Sequence, residues 1–312
     1  MGADLFSQKE FMKKLLLPAT LITGIAFAIL LSPTDAKSWG YWAHRKINHY
    51  AVLSLPNEMR PFFEANIDSI RERSIDPDQR RFADKNEGPF HFIDADRYGK
   101  YPFSSLPRAY ADAIKKFGKD TVDANGTVPW RIAEFTERLT QSMKEKNKEQ
   151  ILFYTANLGH YVADAHVPLH SAENYDGQMS NQKGLHSRWE AKIPELFGAK
   201  FHIGPEPVEQ FSDPLERAFS VILESYSLVD SVLALDLKAK EGIPEAELFK
   251  MKKRGDRVEY EYSELYYTRY NNLLNGMVER RMRQSVSRVA SYWYTAWISA
   301  GKPDLSVLHS HD

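Results

Sequence analysis

The stretch HYVADAHVPLH, residues 160–170, gathers the densest set of reactive side chains in the chain. His160 and Asp164 are four residues apart, so on a helix they project from one face and can grip one ion. His170 follows the break at Pro168 and can turn back toward them. A second pair with the same spacing, His186 and Glu190, sits in HSRWE. Upstream lie His44 in WGYWAH, Asp76 and Asp78 in DPDQRR, and His91 in HFIDAD. Singly, each has an ordinary explanation as a packed imidazole or a turn carboxylate. Two such pairs with a His between them, in a chain holding only 10 His, make a stronger signal. There is no Cys, which excludes thiolate metal sites, disulfides and a cysteine nucleophile. Imidazole and carboxylate ligands without thiolates suit zinc.

Helices are what must aim these residues. Apolar periodicity is helical along the chain, without a convincing run of alternating strand residues, and it predicts an all-α, single multi-helical domain. Helices are expected over 42–55, 61–73, 106–117, 129–146 and 150–166. Another is expected to carry His186 to Glu190. A long one starts at Asp213-Pro214, with a stripe through Leu215, Phe219, Ile222, Tyr226, Val229 and Leu233, and a last one covers 263–300. The stretches 86–104 and 171–184 read as loops, and Asp76-Pro77 reads as a helix stop. With 43% hydrophobic residues the chain can bury a substantial core, which excludes global disorder. Its 41 Lys+Arg against 42 Asp+Glu exclude nucleic-acid binding driven by net charge alone.

At the start of the chain, Lys9, Lys13 and Lys14 precede an uncharged stretch from Leu15 to Leu31, followed by SPTDAKS. That order predicts a secretory signal peptide over residues 1–38, cut after Ser38, so that residues 39–312 begin at Trp39. An uncleaved membrane anchor is the alternative, because 17 residues lie at the lower edge of spanning length.

Taken together, these residues resemble the trinuclear-zinc phosphodiesterases, which include zinc-dependent phospholipases C and secreted single-strand-specific nucleases. The resemblance runs from Trp39 to Glu190. The family pattern opens with an N-terminal Trp whose amine and carbonyl bind zinc, matched by Trp39, and continues with a His, here His44. An Asp in a short loop and a later His are matched by Asp78 and His91. The run His-x-x-x-Asp-x-x-x-x-x-His is matched by His160, Asp164 and His170, and the closing pair by His186 and Glu190. The resemblance implies three Zn2+ ions. Asp78, His91, His160 and Asp164 would surround the first; His170, His186 and Glu190 the second; Trp39, His44 and a bridging Asp164 the third. Asp78 is implied as the catalytic residue that orients or deprotonates water, or as a ligand only. Asp76 competes for that position; Asp78 is preferred because it follows Pro and runs into basic residues in PDQRR.

The implied activity is hydrolysis of phosphodiesters by residues 39–312, outside the cytoplasm, in the periplasm or medium. Glu190 leans toward the phospholipase members, whereas DAHVPLH and HFID lean toward the nucleases. The expectation is a phospholipase C-like enzyme acting on a phospholipid, with a nuclease acting on single-stranded DNA or RNA as the alternative. A non-catalytic secreted protein stabilised by zinc is a second alternative. No obligate protein partner is implied. His166 points to another helix face than Asp164 and is expected to pack. Tyr262, Tyr266, Tyr267 and Tyr270 are expected in the core, and Arg280, Arg281 and Arg283 on a solvated face.

Overall fold

The computed structural model describes residues 40–254 and 257–309; the expected leader and Trp39 lie outside the described residues. Helix α1 (Tyr41–Ser54) turns Ala43, His44, Ile47, Asn48, Ala51 and Val52 inward. Three short helices follow, α2 (Arg60–Ala65), α3 (Ile67–Arg73) and α4 (Asp76–Arg80). The single helix expected over 61–73 is interrupted at Asn66. Asp76-Pro77 opens a helix instead of ending one, because a first-turn N–H has no partner within the helix and its loss there costs little. Next come α5 (Tyr110–Phe117), shorter than expected, and α6 (Lys119–Ala124). Ile132, Phe135 and Leu139 bury the expected stripe of α7 (Val128–Lys144).

Helix α8 (Lys148–Ala165) is the spine of the fold. The Asn147 side chain caps it by accepting from the Gln150 backbone, and every residue from Thr155 to Ala165 is buried. A helix buried on all sides must be covered on all sides. Here α1, α3, α7, α11 and α15 do so, with α11 (Pro214–Tyr226) and α15 (Met277–Ser299) defined below.

Beyond α8 the chain departs from the expected regular helices in a consistent way. After α9 (Leu185–Ser187), residues Arg188–Lys192 form a π-helical turn that leads into α10 (Ile193–Phe197). Asp213 caps α11 as expected, accepting from the backbone of Leu215 and Glu216. The long helix breaks at Ser227-Leu228, and α12 (Val229–Lys240) continues. After α13 (Glu245–Leu248) an antiparallel hairpin, β1 (Phe249–Arg254) and β2 (Arg257–Tyr262), stands where no strands were expected. Its pairs Phe249–Tyr262 and Met251–Tyr260 alternate with charged residues, over a run too short to stand out in the sequence. The last expected helix is two, α14 (Glu264–Leu274) and α15, because Asn275 and Gly276 adopt left-handed angles of 46° and 72°. Among the described residues the fold is thus all-α apart from this one hairpin. Tyr266, Tyr267 and Tyr270 are buried, as expected.

Candidate metal centre

His160 and Asp164 sit one turn apart on α8, with His160 Nε2 3.2 Å from Asp164 Oδ2. Their neighbour Gly159 decides what they face. A Cβ there would stand 2.1 Å from Asn48 Oδ1 on α1 and 3.1 Å from the Trp293 ring, so a larger residue would have to displace the Asn48 side chain. The close crossing stacks His44 on His160 with ring centroids 3.9 Å apart, and sets His44 Nε2 3.3 Å from Asp164 Oδ1. On the other side, a 3-10 turn over Gly88–His91 brings His91 Nδ1 to 2.8 Å from Asp164 Oδ2 and 3.0 Å from His160 Nε2. Asp78, buried in α4, reaches to 4.0 Å from His91 Nδ1. Past Pro168, a 3-10 turn folds His170 back toward the π turn. Its Nε2 lies 3.1 Å from His186 Nε2 and 3.2 Å from Glu190 Oε2, and His186 Nε2 lies 3.0 Å from Glu190 Oε1.

Three groups result whose ligand atoms lie within 4.8 Å of one another: His44, His160 and Asp164; Asp78, His91 and His160; His170, His186 and Glu190. Proton counting tests whether a cation fits. A neutral imidazole has one N–H and one lone pair. His160 Nδ1 donates to the Ser74 carbonyl (2.8 Å), His170 Nδ1 to the His91 carbonyl (2.6 Å), and His186 Nδ1 to the Tyr175 carbonyl (3.1 Å). In the neutral ring each remaining Nε2 carries a lone pair, and each is aimed at another nitrogen or a carboxylate. Burial opposes a charged His186, but Glu190 raises its pKa, so a metal there would compete with a proton. Neither oxygen of the buried Asp78 has a hydrogen-bond partner. Lone pairs converging from several sides in a buried space suit a cation.

Charges are distributed to the same end. Burial lowers the pKa of His44 and of His160, which keeps both imidazoles neutral and able to ligate. Burial works against an ionised Asp164, but His160 and His170 outweigh it and hold the carboxyl well below its usual range. Burial likewise opposes Glu190, and His186 and His170 still pull it down. Asp78 differs: burial dominates and pushes it up to about 6. His91 runs the other way: burial opposes its charged form, yet Asp164 and Glu87 raise it to about 9, so a metal there would have to displace its proton.

Among the expected residues, eight of the nine fall at this centre, and Trp39 lies outside the described residues. His160 is shared between two groups, whereas the resemblance assigned the shared role to Asp164; Asp164 still contacts His44, His91 and His160. Asp76 is outside the groups, half-buried beside Arg73 at 3.6 Å, so Asp78 is the carboxylate that enters. His166 is buried and donates within its own helix to Val162 O. One expectation fails: Arg281 is buried, not solvated, and donates to the His166 carbonyl, Ser225 and Glu224. Glu87 was missed. It stands four residues before His91, an interval that signals a shared helix face, and its Oε1 lies 3.7 Å from His91 Nε2. Arg80 and Tyr161 donate to it as well.

Helices that cross to aim imidazoles and carboxylates into three adjoining groups make a candidate metal centre. The S1/P1 nuclease family matches residues 39–295, and the chain belongs to that family. Among solved structures, the alpha-toxin of Clostridium perfringens avian strain SWCP is similar at 15% identity, over 86% of this chain and 66% of that one, with a TM-score of 0.47. The alpha-toxin of Clostridium absonum is similar at 12% identity, over 89% of this chain and 66% of that one, with a TM-score of 0.48. This chain therefore spans just under two thirds of the toxins' length. No curated protein matches it.

Proposed function

We propose that this chain is a zinc-dependent nuclease that hydrolyses phosphodiesters of single-stranded nucleic acid after export and removal of residues 1–38. The observation that carries the metal reading is the set of lone pairs converging from His160, His170, His186 and Asp78. The family match over residues 39–295 supports nucleic acid as substrate. His170, His186 and Glu190 would hold one Zn2+ ion, Asp78, His91, His160 and Asp164 another, and His44 and Asp164 with the Trp39 amino terminus a third. Bound zinc would supply charge neutralisation for the phosphodiester oxygens and bring the pKa of a water near 7.

The remaining steps belong to the chain. His44 and His160, kept neutral by burial, offer nitrogen lone pairs without first releasing a proton. Asp164 and Glu190, held ionised, supply negative charge that balances the cations. Asp78, buried with neither oxygen hydrogen-bonded, would orient the attacking water or accept its proton, or serve as a ligand only. Cleavage of the Ser38–Trp39 bond would convert an amide nitrogen, a poor ligand, into an amine that can complete the third set.

Glu190, in place of an Asp in HSRWE, favours a second reading, hydrolysis of a phospholipid. Purified protein beginning at Trp39 should be assayed on single-stranded DNA and on phosphatidylcholine vesicles. Cleavage of DNA without lipid turnover is expected. Lipid turnover without DNA cleavage would overturn the choice of substrate, and inertness on both would revive a purely structural role for the metal.

A further inference from the structure

Between the ligands His186 and Glu190 stands Arg188, whose side chain leaves the turn on the opposite side. Residues two apart on a helix project roughly 200° apart around its axis, so a group at 188 faces away from both 186 and 190. The side chain is buried, with 5% of its surface exposed, and all three of its nitrogens donate. Nε donates to the Tyr266 hydroxyl (3.1 Å), Nη1 to the Lys183 carbonyl (2.9 Å), and Nη2 to the Gln182 carbonyl (2.8 Å) and Asp236 Oδ1 (3.2 Å). The guanidinium also lies 4.7 Å from the centre of the Tyr262 ring.

Asp236, fully buried on α12, is tied in turn by Gln182 Nε2 (2.7 Å), Lys240 Nζ (2.6 Å) and the Tyr266 hydroxyl. One side chain thus clamps the end of the 171–184 loop, α12, α14 and the π turn together. The clamp bears on the π turn. A single π turn such as Arg188–Lys192 is rare and occurs mostly at functional sites.

We propose that Arg188, held by Asp236 and Tyr266, is a positioning residue that fixes the π turn so that His186 and Glu190 present their ligand atoms to one metal ion. The proposal rests on the metal-binding reading above. Arg188 touches neither the ion nor substrate; it acts through the backbone that carries both ligands. Its planar fork reaches two loop carbonyls, a hydroxyl and a carboxylate at once, which the single ammonium of Lys cannot do.

Zinc titration and cobalt substitution test this on the wild-type chain and on Arg188→Gln, Arg188→Lys and Tyr266→Phe. Arg188→Gln should bind one metal equivalent about 10–100-fold more weakly, as loss of a ligand's supporting partner does, while the other equivalents keep wild-type affinity. The cobalt absorption of that one equivalent should change, and those of the others should not. Arg188→Lys should recover part of the affinity. Tyr266→Phe, which removes a single hydroxyl and is suited to folding even if Arg188→Gln is not, should show a smaller shift in the same equivalent. Unchanged titrations in Arg188→Lys and Tyr266→Phe would overturn the proposal, as would equal weakening of every equivalent, which would mark a merely structural role. A wild-type chain that binds no metal would instead overturn the reading beneath it.

Discussion

Two sets of buried polar side chains flank the turn through residues 185–192, and they are satisfied in opposite ways. On one side His170, His186 and Glu190 point lone pairs at one another across 3.0–3.2 Å, with each imidazole proton already committed to a carbonyl. On the other, all three nitrogens of Arg188 donate and both oxygens of Asp236 accept. Burial is nearly the same in both; the difference is in proton bookkeeping. A cluster with too few protons is built for a cation supplied from outside, whereas one whose donors meet acceptors is finished when the chain folds. The contrast extends to Asp78, whose oxygens have no hydrogen-bond partner, set against Asp236.

The largest effect expected on the cation-seeking side is from Asp78→Asn, which keeps the shape and removes the proton acceptor. Hydrolysis should fall by about 10²–10⁴-fold, the usual contribution of a general base, while the metal-free variant unfolds in urea no earlier than the wild type. A metal-free variant that is markedly less stable would erase the contrast, because Asp78 would then be a satisfied structural group. Asp236→Asn should lower the stability of the metal-free chain. Breaking a buried ion pair from one side costs about 3–5 kcal/mol, so urea should unfold the metal-free variant much earlier.

A smaller, pH-dependent effect sharpens the comparison at a third acidic set. Asp94 is half-buried and pushed up to about 7, first by burial and then by Asp96 and Glu173. The folded chain therefore holds a proton that the unfolded chain has lost above about pH 4. Stability should fall as pH rises from about 4 through 7, and Asp94→Asn should flatten that slope in thermal unfolding. An unchanged slope would mean that water reaches Asp94 well enough to leave it an ordinary surface carboxylate.

Much of the centre was legible because its ligands follow helical arithmetic. His160 with Asp164 and His186 with Glu190 each announce one face of a helix, and the Pro168 break announces the return of His170. What the sequence left hidden are features with no period. Nothing in the sequence around residue 188 marks a π turn. Arg188 and Asp236, 48 residues apart, carry no mark of their pairing. Asn275-Gly276 and Ser227-Leu228 sit inside runs whose apolar stripe continues across the break, so two long helices were expected where four shorter ones form. The hairpin of residues 249–262 is masked by its lysines, and Arg281 by two neighbouring arginines.

Elemental analysis of the purified chain beginning at Trp39, before and after dialysis against a chelator, bears most directly on the converging lone pairs. Three zinc ions per chain are predicted, with hydrolysis lost on chelation and restored by added zinc. A chain that carries no tightly bound metal and hydrolyses its substrate unimpaired in the chelator would contradict the account.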